Sequence, residues 1–168
     1  LYGAEHLFMP RASFAYTPWG QLATRQDTLS GITDTTAYSY DGLGRLAGIS
    51  YPSGVNVGYG YAEGNLSAIT ATVNGTTSTV AMPSSYRAFG PAEWMSYGNG
   101  LWRQSNYDSD SRLTGISVNG GPSGLTQSLT YAFDTANRIT DITNGVDSAE
   151  TWDFGYDAGG GLMTRTTA

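Results

Sequence analysis

The chain has 168 residues, only 13% of them charged, where an ordinary globular domain carries about 25%. A net charge of −6, with eight cationic residues scattered along the chain, argues against a nucleic-acid partner, because phosphate binding needs clustered Lys and Arg. The absence of cysteine excludes disulfides, a thiolate metal site and a cysteine nucleophile, and no stretch approaches the ~18 apolar residues of a membrane helix. Aliphatic residues are sparse while glycine (23) and tyrosine (12) are abundant, so aromatic rings must supply most of the buried area, which suits a thin sheet. No charged-then-apolar signal segment opens the chain, and its start at Leu1 suggests an excerpt of something larger.

Residues 1–13 read as a lead-in and 14–168 as a region of tandem repeats. The first copy, Phe14-Ala-Tyr16-Thr17-Pro-Trp-Gly20-Gln21-Leu22, is a divergent one. The second runs through Tyr38, Tyr40, Asp41, Gly44, Arg45, Leu46 and Ile49 and gives the pattern Y-x-Y-D-x-x-G-R-L-x-x-I. Next come Tyr59-Gly-Tyr61-Ala62-Glu63-Gly64-Asn65-Leu66, one residue shorter, and Tyr86-Arg87-Ala-Phe-Gly90-Pro91-Ala92, the most degraded. Tyr107, Asp108, Arg112 and Leu113 mark the fifth copy, and Tyr131, Phe133, Asp134 and Arg138 the sixth. Phe154, Tyr156 and Asp157 mark the seventh, which has no arginine. The second aromatic falls at 16, 40, 61, 86, 107, 133 and 156, at intervals of 21 to 26 residues. Chance pairs of Tyr and Asp would not tile the chain in this way.

Each copy predicts strand, turn and strand. Val55, Val57, Tyr59 and Tyr61 alternate with Asn56, Gly58 and Gly60, the period of a strand packed on one face. Asp-x-x-Gly is turn chemistry, since Asp bonds backbone amides ahead of it and Gly takes a positive φ cheaply. Leu and Ile three apart break strict alternation, which predicts a bulge in the return strand. Second turns between copies are signalled by Pro52-Ser-Gly54, Asn74-Gly75, Asn99-Gly100, Asn119-Gly-Gly121 and Asn144-Gly145. No segment shows helical periodicity. The predicted fold is all-β, a succession of antiparallel hairpins in one continuous curled or spiralling sheet.

Candidate chemistry is scarce. Asp41, Asp108, Asp134 and Asp157 recur in register, one per copy, whereas an acid–base pair must converge on one pocket. They read as turn caps, with Arg45, Arg112 and Arg138 four residues on as partners for a carboxylate or a turn carbonyl. His6 is the only histidine, so a multi-histidine zinc site is excluded and His6 reads as incidental. Asp108-Ser-Asp110 lacks the downstream Gly and Glu of a calcium loop. No catalytic residue, cofactor site or metal site is assigned. Trp19, Trp94, Trp102 and Trp152 are candidates for stacking on sugar rings, weighed against packing between strands.

These motifs, with the Tyr97-Gly98-Asn99-Gly100 turn, resemble the Rhs/YD-repeat family over Phe14 to Leu162. The family includes bacterial Rhs proteins, the C components of insecticidal toxin complexes and the teneurins. The resemblance implies hairpins joined edge to edge into a sheet that spirals into a hollow shell, which in Rhs proteins and toxin complexes holds a toxic domain. The family's Pro- and Asp-containing self-cleavage motif has no match here, and seven copies fall short of a closed container. The resemblance therefore implies a non-catalytic scaffold from a secreted or surface-exposed, bacterial protein. The expected partners are further repeats of the parent chain or copies of itself through open sheet edges, and an enclosed toxin domain. A glycan- or cell-surface-binding module and a self-assembling tube or filament are the alternatives.

Overall fold

The computed structural model describes residues 11–88, 90–120 and 124–167. Fourteen strands follow one another: β1 (Arg11–Tyr16), β2 (Leu22–Leu29), β3 (Ile32–Tyr40), β4 (Leu46–Ser50), β5 (Asn56–Ala62), β6 (Asn65–Val73) and β7 (Thr76–Tyr86). They continue as β8 (Ala92–Tyr97), β9 (Trp102–Tyr107), β10 (Leu113–Asn119), β11 (Leu125–Phe133), β12 (Ile139–Asn144), β13 (Trp152–Tyr156) and β14 (Leu162–Thr167). Hydrogen-bonded order equals sequence order from β1 to β14 in one antiparallel sheet. The sole helical element among the described residues is a 3-10 turn, Ser148–Glu150. β1 begins at Arg11, inside the stretch read as lead-in, and His6 lies outside the described residues.

The chain divides into two compact units at Val80/Ala81, within β7. In the first, three hairpins close through two-residue turns whose central residues both have positive φ: Ser30-Gly31 (51° and 82°), Glu63-Gly64 (51° and 87°) and Asn74-Gly75 (50° and 78°). This is the I′ geometry, whose twist matches that of the flanking strands. Threonine pairs brace two of them, Thr28 with Thr33 at 2.9 Å and Thr72 with Thr77 at 2.7 Å. The copy that is one residue short thus replaces the Asp-x-x-Gly turn with Glu63-Gly64.

The other repeat turns are one residue wider and share a single hydrogen-bond pattern. Gly44 N–H donates to the Asp41 carbonyl and Asp41 N–H to the Arg45 carbonyl, both at 2.9 Å. The same two bonds recur at Thr17–Gln21, Arg87–Pro91, Asp108–Arg112, Asp134–Arg138 and Asp157–Gly161. The fourth residue of the turn is left-handed in five of the six, at Gly20, Gly44, Ser111, Asn137 and Gly160.

The bulge falls at the same place in all seven copies. Tyr40 opposes Leu46 while Ser39 opposes Gly48, which leaves Ala47 unpaired. Ala23, Ser67, Glu93, Thr114, Thr140 and Met163 are passed over in the same way. The extra residue returns Leu46 and Ile49 to one face, so Ile49 opposes Tyr38 and Leu46 opposes Tyr40. In the first unit that face carries Tyr38, Tyr40, Leu46, Ile49, Val57, Tyr59, Tyr61, Leu66 and Ile69. The opposite face is small and polar. A Cβ on Gly58 would lie 2.7 Å from Thr70 Oγ1, and one on Gly48 2.8 Å from Ser39 Oγ, so these glycines leave room for cross-strand hydroxyls.

Burial is shallow throughout. Among the described residues no large side chain is fully buried; the buried positions are the small residues Ala81 (4% exposed), Ser105 (3%) and Gly115, with Pro83. An isolated hairpin is marginal in water, so each strand depends on its sequence neighbours.

The left-handed turn position yields a stability prediction. Ser111 occupies it at φ 63° with a Cβ, where Gly44 has none. Left-handed backbone costs a non-glycine residue about 1–2 kcal/mol, partly offset by glycine's greater unfolded freedom. Ser111→Gly should therefore stabilise the chain by about 0.5 kcal/mol, and Gly44→Ala destabilise it by about 1 kcal/mol, in urea unfolding followed by circular dichroism.

Candidate functional site

The structure brings the repeat residues together in a contact that recurs at the junctions between copies. It starts within a turn. Asp41 Oδ1 accepts the N–H groups of Leu43 and Arg45 at 2.9 Å each, and Oδ2 accepts Arg45 Nε at 2.8 Å. Asp108 and Arg112 repeat this (2.9 Å to N–H, 2.7 Å to Nε), as do Asp134 and Arg138 at the same distances. The guanidinium is thereby held flat against its own turn and aimed along the sheet.

From there it reaches the next copy. Arg45 lies 4.1 Å above the Tyr61 ring, Arg112 4.9 Å above Phe133 and Arg138 4.6 Å above Tyr156. Arg112 Nη1 also donates to Asn137 Oδ1, and Arg138 Nη1 to the Asp157 carbonyl at 3.4 Å. The aromatic residue ties back in return. Tyr40, Tyr61 and Tyr156 hydroxyls donate to the carbonyls of Leu22, Leu46 and Ile139, each the return-strand residue of the preceding copy, at 2.9, 2.9 and 2.7 Å. The junctions at Tyr61 and Tyr156 carry both a cation over a ring and a phenol on a carbonyl, the one at Tyr40 the phenol bond and the one at Phe133 the cation.

Divergent copies keep the reach by other means. Gln21, in the arginine column, donates through Nε2 to the Gly44 carbonyl at 2.7 Å. Arg87 stands in the aspartate column, yet its guanidinium lies 5.6 Å above Tyr107 and donates to the Asp108 carbonyl at 2.9 Å. Residue-column comparison misses this, because a long side chain from a different position reaches the same place. In the seventh copy Gly161 replaces the arginine, and among the described residues Asp157 Oδ1 accepts only the Gly161 N–H, at 2.7 Å.

The clamp shifts acidity. The Arg45 N–H, then its guanidinium and the Leu43 N–H, hold Asp41 below the usual carboxylate range against partial burial, and Arg138 does the same for Asp134. For Asp108 partial burial is the largest influence and acts upward, but the Arg112 N–H and guanidinium with the Asp110 N–H outweigh it and leave the group lowered. A contrary site lies between β12 and β13, where Asp141 directly opposes Asp153. A hydrogen bond that protonated Asp153 donates to the Asp141 carboxylate, then burial and like charge, raise Asp153.

The four tryptophans differ in setting. Trp94 and Trp102 stack on each other with centroids 4.9 Å apart, and Arg165 lies 3.6 Å over Trp152. Trp19 is 88% exposed at the first turn tip, beside a shallow recess lined by Gln21, Asp41, Gly42 and Gly44. Among the described residues no group of three or more His, Asp or Glu converges as a metal site, and no helix is long and apolar enough to cross a membrane.

Comparison with known proteins agrees with the repeat geometry. The RHS Repeat family model matches residues 16–56 and 40–77. Residues 16–77 are thus matched as RHS repeats. The chain's fold matches the crystal structure of TcdB2-TccC3 with a TM-score of 0.82 at 18% identity, and that of TcdB2-TccC3-Cdc42 with 0.81 at 19%, each over 90% of this chain. The Photorhabdus luminescens Tc holotoxin pore matches over 94%, with a TM-score of 0.83 at 18% identity. This chain spans only 9% of each of those chains. No curated protein sequence matches it. At this identity the structural likeness establishes the fold and nothing finer.

Two predictions test the junction. Phe133 sits where Tyr40, Tyr61 and Tyr156 carry their hydroxyls, so Phe133→Tyr should gain a bond to the Leu113 carbonyl and up to about 1 kcal/mol in urea unfolding. Tyr156→Phe should lose about 0.5–1.5 kcal/mol in the same assay. The second concerns pH. Lowered Asp41, Asp108 and Asp134 stabilise the fold at neutral pH and lose that contribution as pH falls through their depressed folded values, below the usual ~3.9. Raised Asp153 works in reverse: its contribution is complete below ~3.9 and lost as pH rises through its folded value. Asp153→Asn should therefore raise the thermal midpoint at pH 7, and its advantage over the parent chain should shrink steadily towards pH 4.

Proposed function

We propose that the chain is a length of non-catalytic wall in an extracellular Rhs-type β-shell that encloses a toxin domain. The observation that supports this most directly is the junction. Arg45–Tyr61, Arg87–Tyr107, Arg112–Phe133 and Arg138–Tyr156 repeat one contact, so copies can be added in line without a new interface. β1 and β14 stand at the two ends of the strand order with every described residue exposed, and further repeats would pair with them. The recurring carboxylates Asp41, Asp108 and Asp134 are each committed to a turn and an arginine. The likeness to Tc-toxin structures supports the enclosed partner and the extracellular setting.

A binding role for the repeat surface draws its support from Trp19, whose ring faces solvent at a turn tip. In that reading the ring stacks on a sugar or on another surface residue.

The wall reading is tested on the full-length parent protein by limited proteolysis followed by size exclusion and mass spectrometry. A segment outside the repeats should stay protected and co-elute with the repeat region, in hollow particles under negative stain. Solid particles, or a parent chain with no protected segment, would rule the enclosure out. A Trp19→Ala variant that loses binding to a glycan array would transfer support to the second reading.

A further inference from the structure

Four Asn–Gly pairs occur in this chain, at 74–75, 99–100, 119–120 and 144–145. Asn–Gly is the pair most prone to ring closure, because glycine offers a backbone nitrogen without a neighbouring Cβ to obstruct it. Closure requires that nitrogen to be free to attack, and the structure separates the four on this point. Gly100 N–H donates to the Tyr97 carbonyl at 3.0 Å, Gly120 N–H to the Gly124 carbonyl at 3.0 Å and Gly145 N–H to the Ser128 carbonyl at 2.8 Å. The side chains of two of these asparagines are also engaged. Asn99 Oδ1 accepts Leu101 N–H, and Asn144 Oδ1 accepts the N–H groups of Val146 and Asp147 while its Nδ2 donates to Glu150.

Asn74–Gly75 differs in its hydrogen bonding. Neither the Gly75 N–H nor the Asn74 amide has a hydrogen-bond partner among the described residues. Both residues are exposed at a hairpin tip, and the position a Cβ would take on Gly75 has no atom within 4 Å. Rotating this tip into the attacking geometry breaks no hydrogen bond of the glycine nitrogen.

We infer that Asn74 is the chain's site of spontaneous deamidation, with isoaspartate among its products. The Gly75 nitrogen attacks Asn74 Cγ, forming the N–Cγ bond of a succinimide. The Cγ–Nδ2 bond breaks, and the amide group leaves as ammonia with the proton from the Gly75 nitrogen. Water then opens the ring at either carbonyl, giving aspartate or isoaspartate, with no oxidant or reductant required. The product adds a negative charge, and isoaspartate adds a methylene to the backbone of a two-residue turn. Turn length sets hairpin register, so the change acts on the pairing of β6 with β7.

The test is incubation of the folded chain at pH 8 and 37 °C, followed by tryptic mapping with isoaspartyl methyltransferase labelling. All eight basic residues are arginines, which places the four pairs on separate peptides, 46–87, 88–103, 113–138 and 139–165. Conversion at Asn74 should run about five- to tenfold faster than at the other three, the factor for opening one net hydrogen bond. In urea the four rates should converge, and Asn74→Gln should silence the 46–87 peptide while circular dichroism stays unchanged. Equal rates in the folded chain, or faster conversion at Asn99, Asn119 or Asn144, would overturn the assignment.

Discussion

A guanidinium pinned by its own turn's aspartate and laid over the next copy's aromatic ring holds two repeats at once. The arrangement matters because little else can. The sheet buries no large side chain completely among the described residues, so the hydrophobic term that stabilises most domains is thin here. A cation over a ring contributes about 0.5–1 kcal/mol where exposed, and a phenol on a carbonyl about 0.5–1.5 kcal/mol. Neither is large alone. Both recur, and both act between copies, where an isolated hairpin has no support of its own.

The clamp also determines what the aspartate is for. Asp41 has one oxygen on two backbone N–H groups and the other on Arg45, which leaves it no proton to trade at neutral pH. A carboxylate held this way organises a turn and orients a cation. The opposed Asp141 and Asp153 show the reverse case, two like charges face to face in a strand pair with two register pairs. Acid therefore acts in opposite directions at different places along one sheet.

Much of this was legible in the sequence. The 21- to 26-residue interval, the period-two alternation and the Asn-Gly and Asp-x-x-Gly turns point to hairpins, because each is a local signal with a local cause. The Leu-x-x-Ile spacing pointed to the bulge, since only an inserted residue puts Leu46 and Ile49 on Tyr40's face. The reach of Arg45 to Tyr61 was not legible, because it depends on how adjacent hairpins align and not on any spacing within one copy. Arg87 was hidden for a further reason. It occupies the aspartate column, so the pattern marks it as decay, whereas the folded chain uses it as the missing arginine.

Arg87 also bears on how such a sheet tolerates change. The junction is made by a cation over the next copy's ring, as at Arg45, or by a side-chain donor to the next turn's carbonyl, as at Gln21, and Arg87 and Arg138 do both, so the need is met from two different columns. Because each strand depends on its sequence neighbours, a defect at one junction is felt mainly there, and stability is close to a sum over units and interfaces. A sheet built on that rule can vary copy by copy without redesigning a deep core, since none of its described large side chains is fully buried. The element kept in all seven copies is the bulge, three residues beyond a turn residue that is left-handed in every copy but the fourth, and it sets which face the next aromatic ring will occupy.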